Sequence, residues 1–441
     1  MRRQFRREFL GRHRWSLVSS AGVIAVIAAT MALSTVASAS SKAHASGQVS
    51  IGVVAPFSGA SAQIGQLFDA ACVAGSFAVN QGGGVLGSTT KCVEVDNTGD
   101  PADAVPNVSR AVATISNFDM AVGLDTATAA TTIPLINKAR IPLFTLNGLA
   151  AFDNTADQYY WRLVPDDTQH GAGFALWAVR HGERKVALVF QNSAAAEAAV
   201  PGIVSGMKHL HGKILLNETI PGDRSSYSSV VADVIRSHPQ AIMTDGDPQT
   251  MATFFAEYSQ LNHGKVPPII TSTDLVLPDF FSEMKKVLGS QFVPSHVFFI
   301  GFQVLNQPQA YAAYKHALSA SFKPAEVKAL LAQNLSILYD AVVIGALAME
   351  KAKSTSGPVY NNAILAVTRA RPGVVKVHTY AQGVAALKAR KAIDYVGVEG
   401  QLLFDSHHNV SSAFEIFKAH PDGSLKSLAV IPAAVARSSL G

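Results

Sequence analysis

The chain has 441 residues, with 36 Lys+Arg against 31 Asp+Glu and a formal charge of +5. The first fourteen residues hold six arginines (Arg2, Arg3, Arg6, Arg7, Arg12, Arg14) and one acid, Glu8, so that removing them leaves 30 basic against 30 acidic side chains. That balance excludes a generally basic nucleic-acid binder, the 48% hydrophobic content excludes disorder, and two cysteines exclude a disulfide scaffold or a cysteine-rich metal module.

The arginines are followed by an apolar run over residues 17–33. Small residues come next, with Ala-x-Ala matches at Ala37-Ser38-Ala39 and Ala43-His44-Ala45. Basic region, apolar region and small-residue site form a signal peptide over residues 1–45, with an uncleaved anchor as the alternative. Arg6-Arg7-Glu8-Phe9-Leu10 resembles a twin-arginine motif, although Phe5 stands where Ser or Thr is preferred. No cysteine lies near the cleavage site, so a lipid anchor is not expected. No later segment reads as long and apolar enough to span a membrane. The expected location is extracytoplasmic, periplasmic or secreted.

Residues 49–55 (VSIGVVA) are a short apolar run ending at Pro56 and read as a buried strand. Residues 66–80 are Ala-rich with a Gly-rich stop and read as a helix. A strand at 91–95, a helix at 102–115, a strand at 120–122, a helix at 132–139 and a strand at 142–145 follow. Residues 159–169 (YYWRLVPDDTQ) read as a connecting segment. The cycle restarts with a strand at 185–190 (KVALVF), a helix at 194–210, strands at 214–218, 241–244 and 268–271, and helices at 227–237 and 249–261. A strand at 297–302 precedes helices at 307–320 and 333–353. Strands alternating with helices argue for an α/β fold of parallel sheets in two similar lobes. Cys72 and Cys92 fall in the first series. An oxidising compartment favours a disulfide between them, two buried free thiols being the alternative.

Gly82-Gly83-Gly84-Val85-Leu86-Gly87 fits G-x-G-x-x-G, but it follows a helix and precedes a strand. A dinucleotide fingerprint needs the reverse, so these glycines read as a cap and turn, and no cofactor is expected. His407-His408 has no further ligand at metal spacing and reads as a solvated turn, with no metal site expected. No nucleophile elbow, zinc-protease helix or phosphate loop occurs, so no catalytic residues are assigned and the chain is read as a non-enzyme.

Ligands of open α/β sheets bind beyond the carboxyl ends of the strands. The polar residues there are Ser58-Gly59, Asp125 to Thr128, and Thr145 to Gly148 in the first series. In the second they are Asp245, Asp247 and Ser272-Thr273-Asp274. Hydroxyls and helix-start N–H groups suit a carboxylate or amide; a carboxylate suits an ammonium. Each is equally a cap or turn residue taken singly.

Several ordered stretches resemble type I periplasmic binding proteins, in particular the branched-chain amino acid and amide branch that serves ABC importers. They are Ser58-Gly59 with Gly65, the turn from Asn80 to Gly87, Asp96 with Asp100-Pro101 and Ala104, and Arg162 with Pro165-Asp166-Asp167 and Gln169. Residues 383–400 and Phe404-Asp405 complete the set, which runs from about Val49 to Leu428. The resemblance implies two Rossmann-like lobes joined by a three-crossing hinge: residues 48–165 with 303–400, and 166–302 with 401–441. It implies ligand-binding positions at Ser58, Ile64, Ala127, Thr128, Asn147, Gly148, Ala195, Asp247 and Asp274, the last gripping an amino group. The family often has Ser or Thr where Ala127 and Leu149 stand, and aromatics at Ala195 and near Asp247. These departures turn the expected ligand from leucine towards an amide, another amino acid or a small organic acid. The implied partners are that small molecule and the permease and ATPase subunits of an ABC importer, with no nucleic acid; the alternative is a ligand-sensing receptor on the same fold.

Overall fold

The computed structural model describes residues 47–441 apart from Ala60, Asp125, Val304 and Asn334. The expected signal peptide and Asp125 lie outside the described residues.

The first parallel sheet runs β2-β1-β3-β4-β5. It comprises β1 (Gln48–Ala55), β2 (Thr89–Asp96), β3 (Phe118–Gly123), β4 (Leu143–Thr145) and β5 (Tyr160–Arg162). β1 shows why the sheet is covered on both faces. Ile51 and Val53 point into one core, while Val54 points into another with Val95 and Ala121. A strand apolar at odd and even positions alike has no face to give to water. The covering helices are α1 (Ala62–Gln81), α2 (Pro101–Thr114) and α3 (Thr126–Lys138). Asp100 caps α2, its side chain accepting from the Ala102 N–H at 2.7 Å, with Pro101 at the first turn.

The chain then crosses through residues 163–166 into α4 (Asp167–Arg180). The second sheet begins with β6 (Lys185–Gln191) and continues through α5 (Ala194–Glu197), α6 (Val200–His209), β7 (Lys213–Ile220) and α7 (Ser228–Ser237). It is extended by β8 (Ala241–Asp245), α8 (Pro248–Leu261), β9 (Ile269–Ser272), α9 (Pro278–Leu288), α10 (Phe292–His296) and β10 (Val297–Phe302). Ala187 and Val189 of β6 enter one core, Leu188 and Phe190 the other. After β10 the chain returns to the first lobe with α11 (Pro308–Ser321), α12 (Pro324–Gln333) and α13 (Ser336–Ala352), which pack with α1 in its core. The parallel pair β11 (Val375–Val377) and β12 (Ile393–Tyr395) follows. The chain comes back to the second sheet as the antiparallel β13 (Phe414–Ala419) and β14 (Leu425–Ile431), giving the order β14-β13-β10-β9-β8-β6-β7.

Three passages between the lobes lie side by side. The Arg162 N–H donates to the His408 carbonyl at 2.9 Å, and the Val410 N–H donates to the Arg162 carbonyl at 3.2 Å. The Gln303 N–H donates to the Ala413 carbonyl at 2.8 Å. These three backbone bonds make the hinge.

Several elements differ from the sequence reading. Residues 160–162, read as connection, are an edge strand on β4. The helix expected over 194–210 is two: Pro201, without an N–H and with a ring that crowds the preceding turn, starts a new helix. α3 begins at Thr126 rather than near residue 132, and α12 was not foreseen. α1 is a 20-residue helix apolar enough by length and composition to cross a membrane, contrary to expectation, yet it packs inside the first lobe between β1, β2, α11 and α13. His408 is no solvated turn residue: its ring stacks on Trp161, centroids 3.8 Å apart and planes 6° apart, and its Nδ1 lies 3.0 Å from the Tyr160 carbonyl. The glycine run ends α1 and turns the chain; Gly84 has φ 71°, and a Cβ there would meet the Ser88 carbonyl at 2.2 Å. Cys72 and Cys92 form a disulfide between α1 and β2, with Cα atoms 6.2 Å apart.

Candidate functional site: a crevice between strand ends

The strand order fixes where a ligand would lie. In the first sheet the connections diverge between β1 and β3; in the second they diverge between β6 and β8. Such switch points leave a crevice beyond the carboxyl ends of the strands. In this chain the two sets of strand ends meet. α3, which follows β3, packs against α5, which follows β6. Gly148, after β4, lies against Asp167 at the start of α4: the Asp167 N–H donates to the Gly148 carbonyl at 2.7 Å, and a Cβ on Gly148 would lie 2.2 Å from Asp167 Oδ1.

Asp167 owes its position to its neighbour. Asp166 caps α4, accepting the Gln169 N–H at 2.8 Å, and leaves the next carboxylate to project from the first turn. The Thr126 hydroxyl donates to Asp167 Oδ2 at 3.5 Å and accepts the Gly148 N–H at 3.3 Å. Burial pushes the Asp167 carboxyl up to about 7, and the negative charge of Asp274 adds to the rise. Asp245 ends β8 and accepts the Gly246 N–H at 2.8 Å. Burial holds it well above the usual carboxylate range, and Asp274 and Asp167 push it the same way. Asp274 is exposed, in the 3-10 turn that Ser272 caps after β9. β8 and β9 are neighbours in the sheet, which brings Asp245 and Asp274 to one rim.

His170, one turn into α4, is buried, and its Nε2 donates to the Ile300 carbonyl at 2.8 Å. Burial lowers its basicity, against the opposing pull of Asp274 and Asp166. Arg162 is buried and ion-paired with Asp153 at 2.7 Å, and also donates to the Leu149 carbonyl at 3.3 Å. Among the described residues no group of three His, Cys, Asp or Glu side chains converges as a metal site.

The structure sorts the expected ligand positions into two kinds. Gly148 lies against Asp167, Ala127 and Ala195 stand on α3 and α5, two helices that pack together across the lobes, and Asp274 stands in the turn after β9. The polar side chains of Thr128, Asn147, Asp247 and Ser58 are engaged within their own lobes. The Thr128 hydroxyl accepts from Asn97 Nδ2 at 2.8 Å. Asn147 donates to the Tyr160 hydroxyl at 2.9 Å and accepts the Leu149 N–H at 2.9 Å. Asp247 caps α8, accepting both the N–H and the hydroxyl of Thr250 at 2.8 Å. The Ser58 hydroxyl donates to Asp96 at 2.7 Å. Ile64 lies in the first turn of α1 and packs against the first-lobe core. Sequence reasoning passed over Asp167, which looks like the second half of a capping pair, and ranked Asp245 below Asp247.

A family model described as periplasmic binding protein matches residues 48–423. Among solved structures, the chain is similar to the leucine-binding protein LivK of Thermotoga maritima, at 16% identity and a TM-score of 0.67, covering 87% of this chain and 99% of that one. It is similar to the branched-chain amino acid transporter substrate-binding protein LivJ of Streptococcus pneumoniae, solved with isoleucine, at 19% identity and a TM-score of 0.66, covering 87% and 99%. A solute-binding protein of an ABC transporter from R. palustris, solved with benzoate, aligns at 17% identity and a TM-score of 0.67, covering 88% and 97%. No curated protein matches. At these identities the structural likeness establishes a shared fold.

Proposed function

The chain belongs to the periplasmic binding protein family, and from that premise we propose that it captures a small polar ligand bearing an amino group and delivers it to the permease and ATPase subunits of an ABC importer. The observation that carries this reading is the crevice where both sets of strand ends meet, with the Asp274 carboxylate on its rim. A ligand touching both lobes stabilises the closed form by its differential affinity for closed over open, about the hinge formed by the three crossings. The naming of the solved neighbours as transporter proteins supports delivery to an importer over a sensing role. The basic and apolar N-terminal segment supports export as a soluble protein, and the absence of a cysteine near residues 39–45 supports a form without a lipid anchor. We assign Gly148, Ala127, Ala195 and Asp274 to the ligand surface, with Ser58, Ile64, Thr128, Asn147 and Asp247 shaping it from behind.

Thermal shift of the purified protein against amino acids, amides, amines and short organic acids tests the reading. A ligand at a hundred times its Kd stabilises the fold by about 2.7 kcal/mol. Absence of any shift across the panel would count against solute capture. Asp274→Ala should abolish binding of an amino-bearing ligand; an unchanged Kd removes Asp274 from the site.

A further inference from the structure

Among the described residues, seven buried side-chain nitrogen or oxygen atoms have no hydrogen-bond partner, and three of them belong to residues at the passages between the lobes: Arg162 Nε, Asn409 Oδ1 and Gln169 Oε1. A buried donor or acceptor left unmet is costly, so their concentration at the hinge needs a physical cause.

Arg162 and Asn409 stand opposite one another on the first and third passages, as a parallel bridge flanked by the two backbone bonds of Arg162. Their side chains therefore leave the backbone on one side, and both turn to Asp153. Arg162 Nη2 meets the Asp153 carboxylate at 2.7 Å, and Asn409 Nδ2 donates to the Asp153 carbonyl at 2.8 Å. The second bond fixes the orientation of the amide, since the reverse would set oxygen against oxygen. Asn409 Oδ1 is thus a free acceptor and Arg162 Nε–H a free donor, on paired residues that are both almost fully buried. Each is turned to Asp153 instead of to the other. Asp153 closes the 3-10 turn after Leu149, whose carbonyl Arg162 Nη1 also holds at 3.3 Å. That segment begins at Gly148, whose carbonyl accepts from Asp167 in the second lobe. The grip on Asp153 therefore bears on where the crevice loop sits.

We propose that Arg162 and Asn409 form a latch of the hinge with two settings. In the one described here both hold Asp153. In the other, reached when the lobes turn about the passages, Arg162 Nε donates to Asn409 Oδ1 and the segment from Gly148 to Asp153 is released. The pair are positioning residues for the crevice, a role that rests on the reading of the crevice as the ligand site.

Two measurements on the purified protein test the latch without any ligand. Spin labels on Arg110→Cys in α2 and Lys208→Cys in α6, both exposed positions, report the separation of the lobes. The parent should give two separations. Asn409→Ala and Arg162→Lys should each change their ratio by roughly three-fold or more, whereas Thr379→Ala, which uncaps the helix Tyr380–Lys388, should leave it unchanged. The Nε–H resonance of Arg162, assigned by its loss in Arg162→Lys, should show conformational exchange that Asn409→Ala removes. A single lobe separation in the parent overturns the inference and needs no variant to fold. A ratio unchanged in both variants also overturns it, as does exchange at Arg162 that persists in Asn409→Ala. Solute capture stands in each of these cases, because a thermal shift with a ligand reads the crevice directly.

Discussion

Glu399→Gln should make the protein more stable in alkaline solution while leaving it almost unchanged in acid. Glu399 sits in the turn closed by the paired Gly397 and Gly400, and its carboxylate accepts a hydrogen bond from Ser336 at the head of α13. Its own N–H donates to Asp340 Oδ2 at 3.1 Å, and the Tyr395 hydroxyl donates to Asp340 Oδ1 at 2.8 Å. Asp340 is fully buried, and neither carboxyl group has a cation among the influences acting on it. Desolvation, with a further push from Asp340, raises Glu399 from 4.5 to about 8; desolvation raises Asp340 from 3.8 to about 7. The native state therefore holds the Glu399 proton more tightly than the unfolded chain does. Its contribution is neutral below about pH 4.5 and becomes steadily unfavourable as pH rises to about 8. At about 1.36 kcal/mol per pH unit, the loss is roughly 3 kcal/mol at pH 7 and on the order of 5 kcal/mol above pH 8. Glutamine keeps an acceptor for Ser336 and does not ionise. Urea denaturation at pH 5 should find the variant within about 1 kcal/mol of the parent, and at pH 8.5 more stable by several kcal/mol. A difference that stays constant between the two pH values refutes the reasoning.

Replacing Cys72 and Cys92 by alanine reopens a loop with a sequence separation of 20 and should cost about 3 kcal/mol on chain-entropy grounds, read by denaturation of variant against oxidised parent. Gly202→Ala places a Cβ 1.9 Å from the Thr168 carbonyl, where α4 and α6 cross. It should lower stability by about 1–3 kcal/mol, and a melting temperature equal to the parent's would show that the helices part freely there. Asp247→Ala removes the cap of α8 and should cost about 1 kcal/mol with a smaller loss of ligand affinity than Asp274→Ala causes; an equal loss of affinity with unchanged stability would return Asp247 to the binding surface. His408→Ala deletes the ring stacked on Trp161 and should cost roughly 0.5–1.5 kcal/mol beyond the lost contact area, measured against a His408→Phe control that keeps a stacking face.

The sequence was most readable where a local pattern has a single physical solution. Runs such as residues 49–55 and 185–190 are apolar at all but one position each, Ser50 and Lys185, and a strand that buries both faces must lie inside a covered parallel sheet. β5 was hidden because it is three residues long, contains Arg162 and runs into Pro165, features that read as a linker. Its place depends on Tyr160 and Trp161 reaching cores built from distant segments. The strand-end loops could be located because topology dictates them, but not which of their side chains face a ligand. That depends on partners far along the chain, such as Asn97 for Thr128 and Tyr160 for Asn147. Asp166 and Asp167 are indistinguishable by type; one turns inward to cap a helix, and its neighbour is left facing the crevice.

The second sheet is closed from the far end of the chain. β13 must hydrogen-bond to β10, yet more than a hundred residues belonging to the first lobe's core intervene. During synthesis the polypeptide thus presents β10 as a bare edge until residues 414–419 emerge. A nascent chain lacking them carries an unpaired apolar strand, a natural handle for holding factors and a hazard for premature aggregation. Completion of the second lobe is thus deferred until residues 414–431 have joined the sheet, well after the residues of the first lobe's core.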